Sequence, residues 1–327
     1  MSLKRIGLLG GLLLAVAVLA IASLMAGKVW VPWSAWTGGA GDPRWAIIFQ
    51  LRVPRTILGV AVGAALGLSG AAMQGYTRNP LADPGILGVS SAAALGAVLT
   101  LYLSLASSAP WVLAAAAMIS AALGVVAMLA MAGTASGTIT FILAGVILNT
   151  IASAGVALAL SLAPSPWAAQ EIINWLLGSL TDRSAADVQL ALPFILAGCG
   201  LLLSLGKAFD ALTLGDTGAR ALGVNLAAVR VVLAVGVGLA TGASVAVTGM
   251  IGFVGLIVPH MLRPLVGHRP GALLLPSALG GAVLVLAGDI LVRLTPAAAE
   301  VKLGVAMAAL GGPFFLAMLI SMRRRLA

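Results

Sequence analysis

Arg52 and Arg55 stand three residues apart in Leu51-Arg52-Val53-Pro54-Arg55, at the head of a long apolar stretch. Arg293 follows Asp289 by four residues, which places both on one face of a helix. A guanidinium presents its donors in a planar fork that matches a carboxylate. The chemistry on offer is recognition of an acid, with no bond broken. Two readings fit the charges equally well. The arginines snorkel to lipid headgroups, or they form a basic surface on which an acidic partner docks.

Three further stretches combine polar residues with backbone punctuation. Arg78-Asn79-Pro80-Leu81-Ala82-Asp83-Pro84-Gly85-Ile86-Leu87-Gly88-Val89-Ser90-Ser91 is broken by Pro and Gly between two apolar segments. It reads as a simple turn, or as an irregular element that lines a pathway, because such backbone near membrane depth must be buried in protein or face a water-filled cavity. Ser90-Ser91 is a candidate cap for the next helix. The loop 207–230 contains Leu212, Leu214, Gly215, Asp216, Thr217, Gly218, Ala219, Arg220, Ala221, Leu222, Gly223 and Val224. The stretch Leu212–Val224 predicts two short helices with a glycine hinge, either a solvated linker or a pair of amphipathic helices for a partner's apolar groove. Gly249–Arg263 places glycines at 249, 252 and 255, predicted to share one helix face, with His260 and Arg263 at the far end. His260 reads as a structural or interfacial histidine in preference to a haem ligand.

Several chemistries are missing. No G-x-x-x-x-G-K-[ST] phosphate loop, H-E-x-x-H pair or Ser/His/Asp set is present in the sequence. Two His and one Cys do not make a zinc or iron site. A lone Cys199 forms no intrachain disulfide. There is no chain of intramembrane acids and histidines of the kind that proton-coupled carriers use. Any energy for transport must come from a partner, or else transport is passive.

The elements that position these residues follow from one feature. From Pro84 to Gln170, 87 residues pass without an Asp, Glu, Lys, Arg or His. A soluble surface needs charge, and one bilayer crossing takes only about 20 residues. The chain is therefore a polytopic, all-α membrane protein that moves something across the membrane. With 61% hydrophobic and 8% charged residues it reads as one transmembrane domain over 1–327, with no separate soluble unit. Ten spans are predicted at 6–27, 54–76, 92–107, 111–132, 139–162, 188–206, 230–248, 250–264, 272–292 and 304–321. Breaks fall at Asn79-Pro80, Ser108–Pro110, Gly133–Gly137, Pro164–Pro166 and Pro270-Gly271. Ile6–Gly27 exceeds the apolar core of a cleaved signal and is read as the first span.

An even number of spans puts both termini on one side. If that side is the cytoplasm, inside segments hold 11 basic and three acidic residues, and outside segments seven and six. That asymmetry supports cytoplasmic termini. It also accounts for the net charge of +9 without nucleic acid as a partner. Gly59, Gly63 and Gly67 make a small-residue face for close helix packing in lipid.

Taken together and in order, these stretches closely resemble the FecCD-like permeases. Further matches are His268-Arg269, Gly271–Pro276, Asp289 with Arg293, and Ala299-Glu300 with Gly304. The family comprises membrane subunits of ABC importers for ferric siderophores, haem and cobalamin. The resemblance implies a type II importer permease of ten helices in the inner membrane. It implies a second permease copy as homodimer partner, two cytoplasmic ABC ATPase subunits, and a periplasmic substrate-binding protein. No cofactor is implied in this chain, since ATP and Mg belong to the ATPases, and the chain is not itself an enzyme. Arg52, Arg55 and Arg293 resemble the arginines that receive the binding protein. Asn79, Leu81 and Thr138 resemble parts of a cytoplasmic gate. Asp216, Ala219, Arg220, Leu222 and Gly223 resemble the coupling helices. Asp83-Pro84-Gly85-Ile86 most resembles the haem branch, so haem is the expected cargo, with ferric siderophore or cobalamin as the alternative. An ion-coupled secondary carrier working alone is the alternative of a different class; it would require an internal inverted repeat and intramembrane ionisable residues.

Overall fold

The computed structural model describes residues 3–326, except 28, 30, 33, 38, 40–41, 106–108, 110, 134–136 and 297–299. Lys28, Ala299 and parts of the predicted breaks near 108 and 135 lie outside the described residues. The described backbone is helical, with no strand among the described residues.

Seven helices are long and apolar enough to cross a membrane. They are α1 (Leu3–Met25), α4 (Val53–Thr77), α6 (Trp111–Ala132), α7 (Thr138–Ser161), α9 (Ala185–Ser204), α12 (Leu226–Thr248) and α14 (Pro270–Leu294). Three shorter apolar helices are α5 (Val89–Tyr102), α13 (Val254–Leu262) and α15 (Leu303–Leu326). Together they occupy the ten predicted segments. Short helices fill the connections: α2 (Ser34–Thr37), α3 (Pro43–Ala46), α8 (Pro166–Leu176), α10 (Gly206–Leu212) and α11 (Gly215–Ala221). A π-helical turn, Ile47–Arg52, joins α3 to α4, so the helical path runs unbroken from Pro43 to Thr77.

The bundle has a centre and a periphery. Of the apolar window in α4, 83% is buried, against 6% in α1 and 22% in α7. α4 lies along α14, and glycine makes this possible. A Cβ on Gly63 would collide with the carbonyl oxygen of Gly281, and one on Gly281 with that of Gly63. Gly67 stands in the same relation to Ser277, and Gly70 to Gly255 on α13. Lipid gives apolar faces no drive to associate, so this backbone contact supplies the dispersion energy that joins the helices.

Two expectations change. Gly249, Gly252 and Gly255 do not share a helix face. α12 ends at Thr248, Gly249 has φ 70°, and α13 begins only at Val254 after Phe253 at φ 67°. The carbonyl of Trp175 fills the place of a Gly249 side chain, so the chain turns there. Ser90 and Ser91 do not cap α5. Gly88, at φ 71°, precedes that helix, and a Cβ there would lie 2.6 Å from the Asn149 nitrogen. Ser91 instead hydrogen-bonds Asn149 across to α7.

Candidate functional site

The three predicted docking arginines converge on one end of the bundle. Arg52 is buried, and its guanidinium donates to the carbonyls of Leu24 and Met25, each at 3.0 Å, and of Val29 at 2.6 Å. The first two are among the last carbonyls of α1, which lack intrahelical partners and carry the negative end of the helix dipole. Arg55 donates to Asp289 through Nε and Nη2 and to Glu300 through Nη2 at 2.6 Å. Arg293 pairs with Asp289 one turn earlier on α14 and donates to Ser23 O at 2.8 Å and Ser23 Oγ at 2.8 Å. Ser23 Oγ also meets Thr56 Oγ1. The cluster thus ties α1, α4 and α14 together, and neither Arg52 nor Arg293 reaches outward as a snorkelling side chain does.

Beside them lies a cavity of ≈ 200 Å³ lined by Arg52, Arg55, Arg293, Thr181, Asp182 and Glu300, among others. Glu300 accepts a hydrogen bond from Thr181 Oγ1 at 2.9 Å. Partial burial raises its pKa, but the hydrogen bonds and charge of Arg55, with Thr181, outweigh this and hold the carboxyl below its ordinary range. Ser23 and Thr181 were not found by sequence reasoning, because neither a serine in an apolar helix nor a threonine in a connection carries a local signal of its partner.

The opposite end of the bundle holds the predicted coupling helices. About 23 residues of α4 separate Arg55 from Arg78, roughly 35 Å at 1.5 Å per residue. Of the two short helices predicted within Leu212–Val224, α11 falls there but α10 ends at Leu212, so the pair begins upstream of the predicted stretch; Gly215, at φ 85°, opens α11 and Gly223, at φ 84°, follows it. Ala219 is buried, whereas Leu214, Arg220, Leu222 and Gly223 are exposed. Asp216 pairs with Arg78 at 2.9 Å, which fastens α11 to the end of α4. Asp210 takes Arg269 Nη2 at 2.6 Å and the Gly271 N–H at 2.9 Å, which fastens α10 to the start of α14. Both helices that meet at Arg55 and Asp289 are therefore also gripped by the α10–α11 pair.

Asn79, Leu81 and Thr138 belong to this second end. Asn79 Oδ1 accepts from the Leu81 N–H at 2.9 Å, which closes a tight turn after α4, and Thr138 opens α7. Asp83 caps the 3₁₀ turn Pro84–Leu87 by accepting from the Gly85 N–H at 2.8 Å. Burial pushes its carboxyl pKa up, against the pull of that N–H. Asp83, Gly85 and Ser90 line a cavity of ≈ 110 Å³ with Thr241 and Phe253.

Arg230, where the loop 207–230 meets the predicted span 230–248, is buried. Its Nε donates to Tyr76 Oη at 3.1 Å, its Nη1 to the Gly133 carbonyl at 3.3 Å, and it lies 5.9 Å from the centre of the Phe141 ring. Tyr76 meets Phe141 edge-on at 5.5 Å. Three helices, α4, α7 and α12, and the residue just past the end of α6 close together on this group. His260 stands edge-on to Phe314 at 5.9 Å. Among the described residues no group of three or more His, Cys, Asp or Glu is placed to hold a metal ion.

The chain is a polytopic membrane protein with a polar cluster at one end of the bundle and two short, strapped helices at the other. The family model described as the FecCD transport family matches residues 13–321, and the chain belongs to that family. It is 36% identical over 326 residues, 97% of this chain and 96% of the relative, to the hemin transport system permease protein HmuU of Yersinia pestis. It is 36% identical over 316 residues, 96% of this chain and 94% of the relative, to the vitamin B12 import system permease protein BtuC of Klebsiella pneumoniae. A solved chain described as an inward-facing conformation of a metal-chelate type ABC transporter superposes with a TM-score of 0.86 at 30% identity, covering 96% of this chain and 98% of that one.

Proposed function

We propose that this chain is the translocation subunit of an ATP-driven importer that carries haem, or else cobalamin or a ferric siderophore, into the cytoplasm. It works as a homodimer in the bacterial inner membrane with both termini cytoplasmic. Two ATPase subunits, which bind ATP and Mg, seat on α10–α11. A periplasmic binding protein delivers cargo at the Arg55 end.

The observation that carries this reading is the α4–α14 pair. These two helices are in backbone contact through Gly63 and Gly281. One end of the pair is fastened to the helices that would meet an ATPase, through Asp216 and Asp210. The other end holds the arginine cluster. A push on α10–α11 therefore has a packed route to the far end, in the manner of a rigid-body transition. The exposed Leu214 and Leu222 suit a partner's apolar groove.

Haem stands first because of the Asp83–Ile86 motif, and the HmuU and BtuC likenesses are equal in identity, which keeps cobalamin beside it. Among the described residues no ligand set suits bare iron, which favours cargo that arrives as a chelate or macrocycle, with selectivity set by the binding protein. The gate role of Asn79, Leu81 and Thr138 rests on their shared position at the ATPase end.

The test is uptake into liposomes that contain the permease and its ATPase. Haem should enter only with ATP on the ATPase side and binding protein on the other. ATP-independent uptake by the permease alone would support the ion-coupled carrier instead.

A further inference from the structure

We propose that Glu300 is an internal competitor for the acidic side chain of the docking partner, and that with Thr181 it sets docking affinity. The inference rests on the docking role given to the arginines.

Arg55 is shared between two carboxylates of different character. Asp289 takes Nε and Nη2 and is 1% exposed at its side chain. It also neutralises Arg293 within α14, so it is not free to leave. Glu300 occupies the Nη1–Nη2 edge, at 3.3 Å and 2.6 Å, and is 21% exposed beside the cavity. It belongs to the connection between α14 and α15, not to a helix. An incoming carboxylate needs a free edge of the guanidinium to bind in two-point fashion. Arg55 and Glu300 both line the cavity, and the Nη1–Nη2 edge there is taken by Glu300.

Charge points the same way. The cavity is lined by Arg52, Arg55 and Arg293, and the carboxylates of Asp182, Asp289 and Glu300 line or touch the same cluster. As folded, three cations face three carboxylates, so the site offers no net attraction to an acid until one carboxylate is displaced. Exchange of one carboxylate for another gains little, which gives reversible docking.

Displacement also has a mechanical consequence. Thr181 loses the acceptor that holds it when Glu300 leaves. The same segment is pinned by the Ser179 N–H to Thr248 O at 2.7 Å, and by the Gly304 N–H to Gly178 O at 3.1 Å. Release of Glu300 thus loosens one of three ties among the α8–α9 connection, the end of α12 and the start of α15.

The experiment is a titration of the assembled importer in nanodiscs with its binding protein, at low and at physiological salt. Glu300→Gln should tighten docking about fivefold. Thr181→Val keeps every charge and unties Glu300, losing besides only the bond that Thr181 Oγ1 accepts from Ser179 Oγ, so it should shift affinity the same way by about twofold, with a thermal midpoint within a few degrees of the wild type. If Glu300→Gln does not fold, Thr181→Val decides, and no tightening overturns the inference. If Arg55→Ala weakens docking while Glu300→Gln leaves it unchanged or weaker, docking stands and the competitor role is wrong. If Arg55→Ala has no effect on docking, the docking role itself fails, and this inference falls with it.

Discussion

Arg55 on α4 and Asp289 on α14 form a two-point ion pair, with Arg55 Nη2 at 2.8 Å and Nε at 3.0 Å from Asp289 Oδ1. Asp289 also holds Arg293, so one buried carboxylate serves two guanidinium groups. The pair closes the same two helices that glycine brings into backbone contact deeper in the bundle. Ion pair and small-residue packing therefore define one unit that spans the molecule.

Asp289→Asn should be the most damaging single change at the Arg55 end. It removes the negative charge between two cations, and an uncompensated buried charge costs about 3–5 kcal/mol. Thermal unfolding in detergent should show a large drop in midpoint. A loss under about 1 kcal/mol, as for an exposed pair, would contradict the buried arrangement.

Gly281→Ala should destabilise by about 1–3 kcal/mol, because the new methyl meets the Gly63 carbonyl and backbone has to shift. Gly252→Ala provides the contrast. A Cβ there has nothing within 4 Å, so its effect should stay within about 0.5 kcal/mol. Equal effects on denaturation at the two positions would argue against close α4–α14 contact.

Arg78→Glu should leave stability almost unchanged, since the Arg78–Asp216 pair is exposed and such pairs contribute about 0.2–1 kcal/mol. ATP-driven uptake should nevertheless fall, with ATP hydrolysis retained, because α11 loses its fastening to α4. The charge-swapped double variant Arg78→Glu with Asp216→Arg should recover part of the uptake. Full uptake by the single variant would show that α11 transmits no force through this pair.

The contribution of Glu300 to stability should depend on pH in one direction. Its folded pKa lies below the ordinary value of 4.5, as Arg55 and Thr181 together outweigh the effect of burial. A depressed carboxyl pKa stabilises above the unfolded value and ceases to do so as pH falls through the folded one. The stability difference between wild type and Glu300→Gln should be flat from about pH 8 to about pH 5 and shrink on further acidification. A difference that changes most between pH 6 and 8 would point to another group.

Much of this was legible because lipid is a severe solvent. Charge and Pro/Gly punctuation marked the ten apolar segments, and Leu212, Leu214 and Leu222 with the glycines around them marked the stretch that holds α11. The misses have physical causes. Pro164–Pro166 does break the chain after α7, but α8 beyond it was not foreseen: Ser165 caps that helix and Pro166 is its first residue, where a missing N–H costs nothing. Glycines three apart at 249, 252 and 255 look helical, but Gly249 and Phe253 adopt positive φ. Arg230 with Tyr76, and Arg269 with Asp210, are joined across 154 and 59 residues, and no local spacing encodes such contacts.

The central claim is that the arginine cluster and the α10–α11 pair face opposite compartments. Single cysteines at Gln50 and Leu222, in a Cys199→Ser background, can be labelled with a membrane-impermeant maleimide in intact spheroplasts. Position 50 should label from outside, and position 222 only after permeabilisation. Labelling of both positions from the same side would contradict the whole arrangement of docking at one end and ATPase at the other.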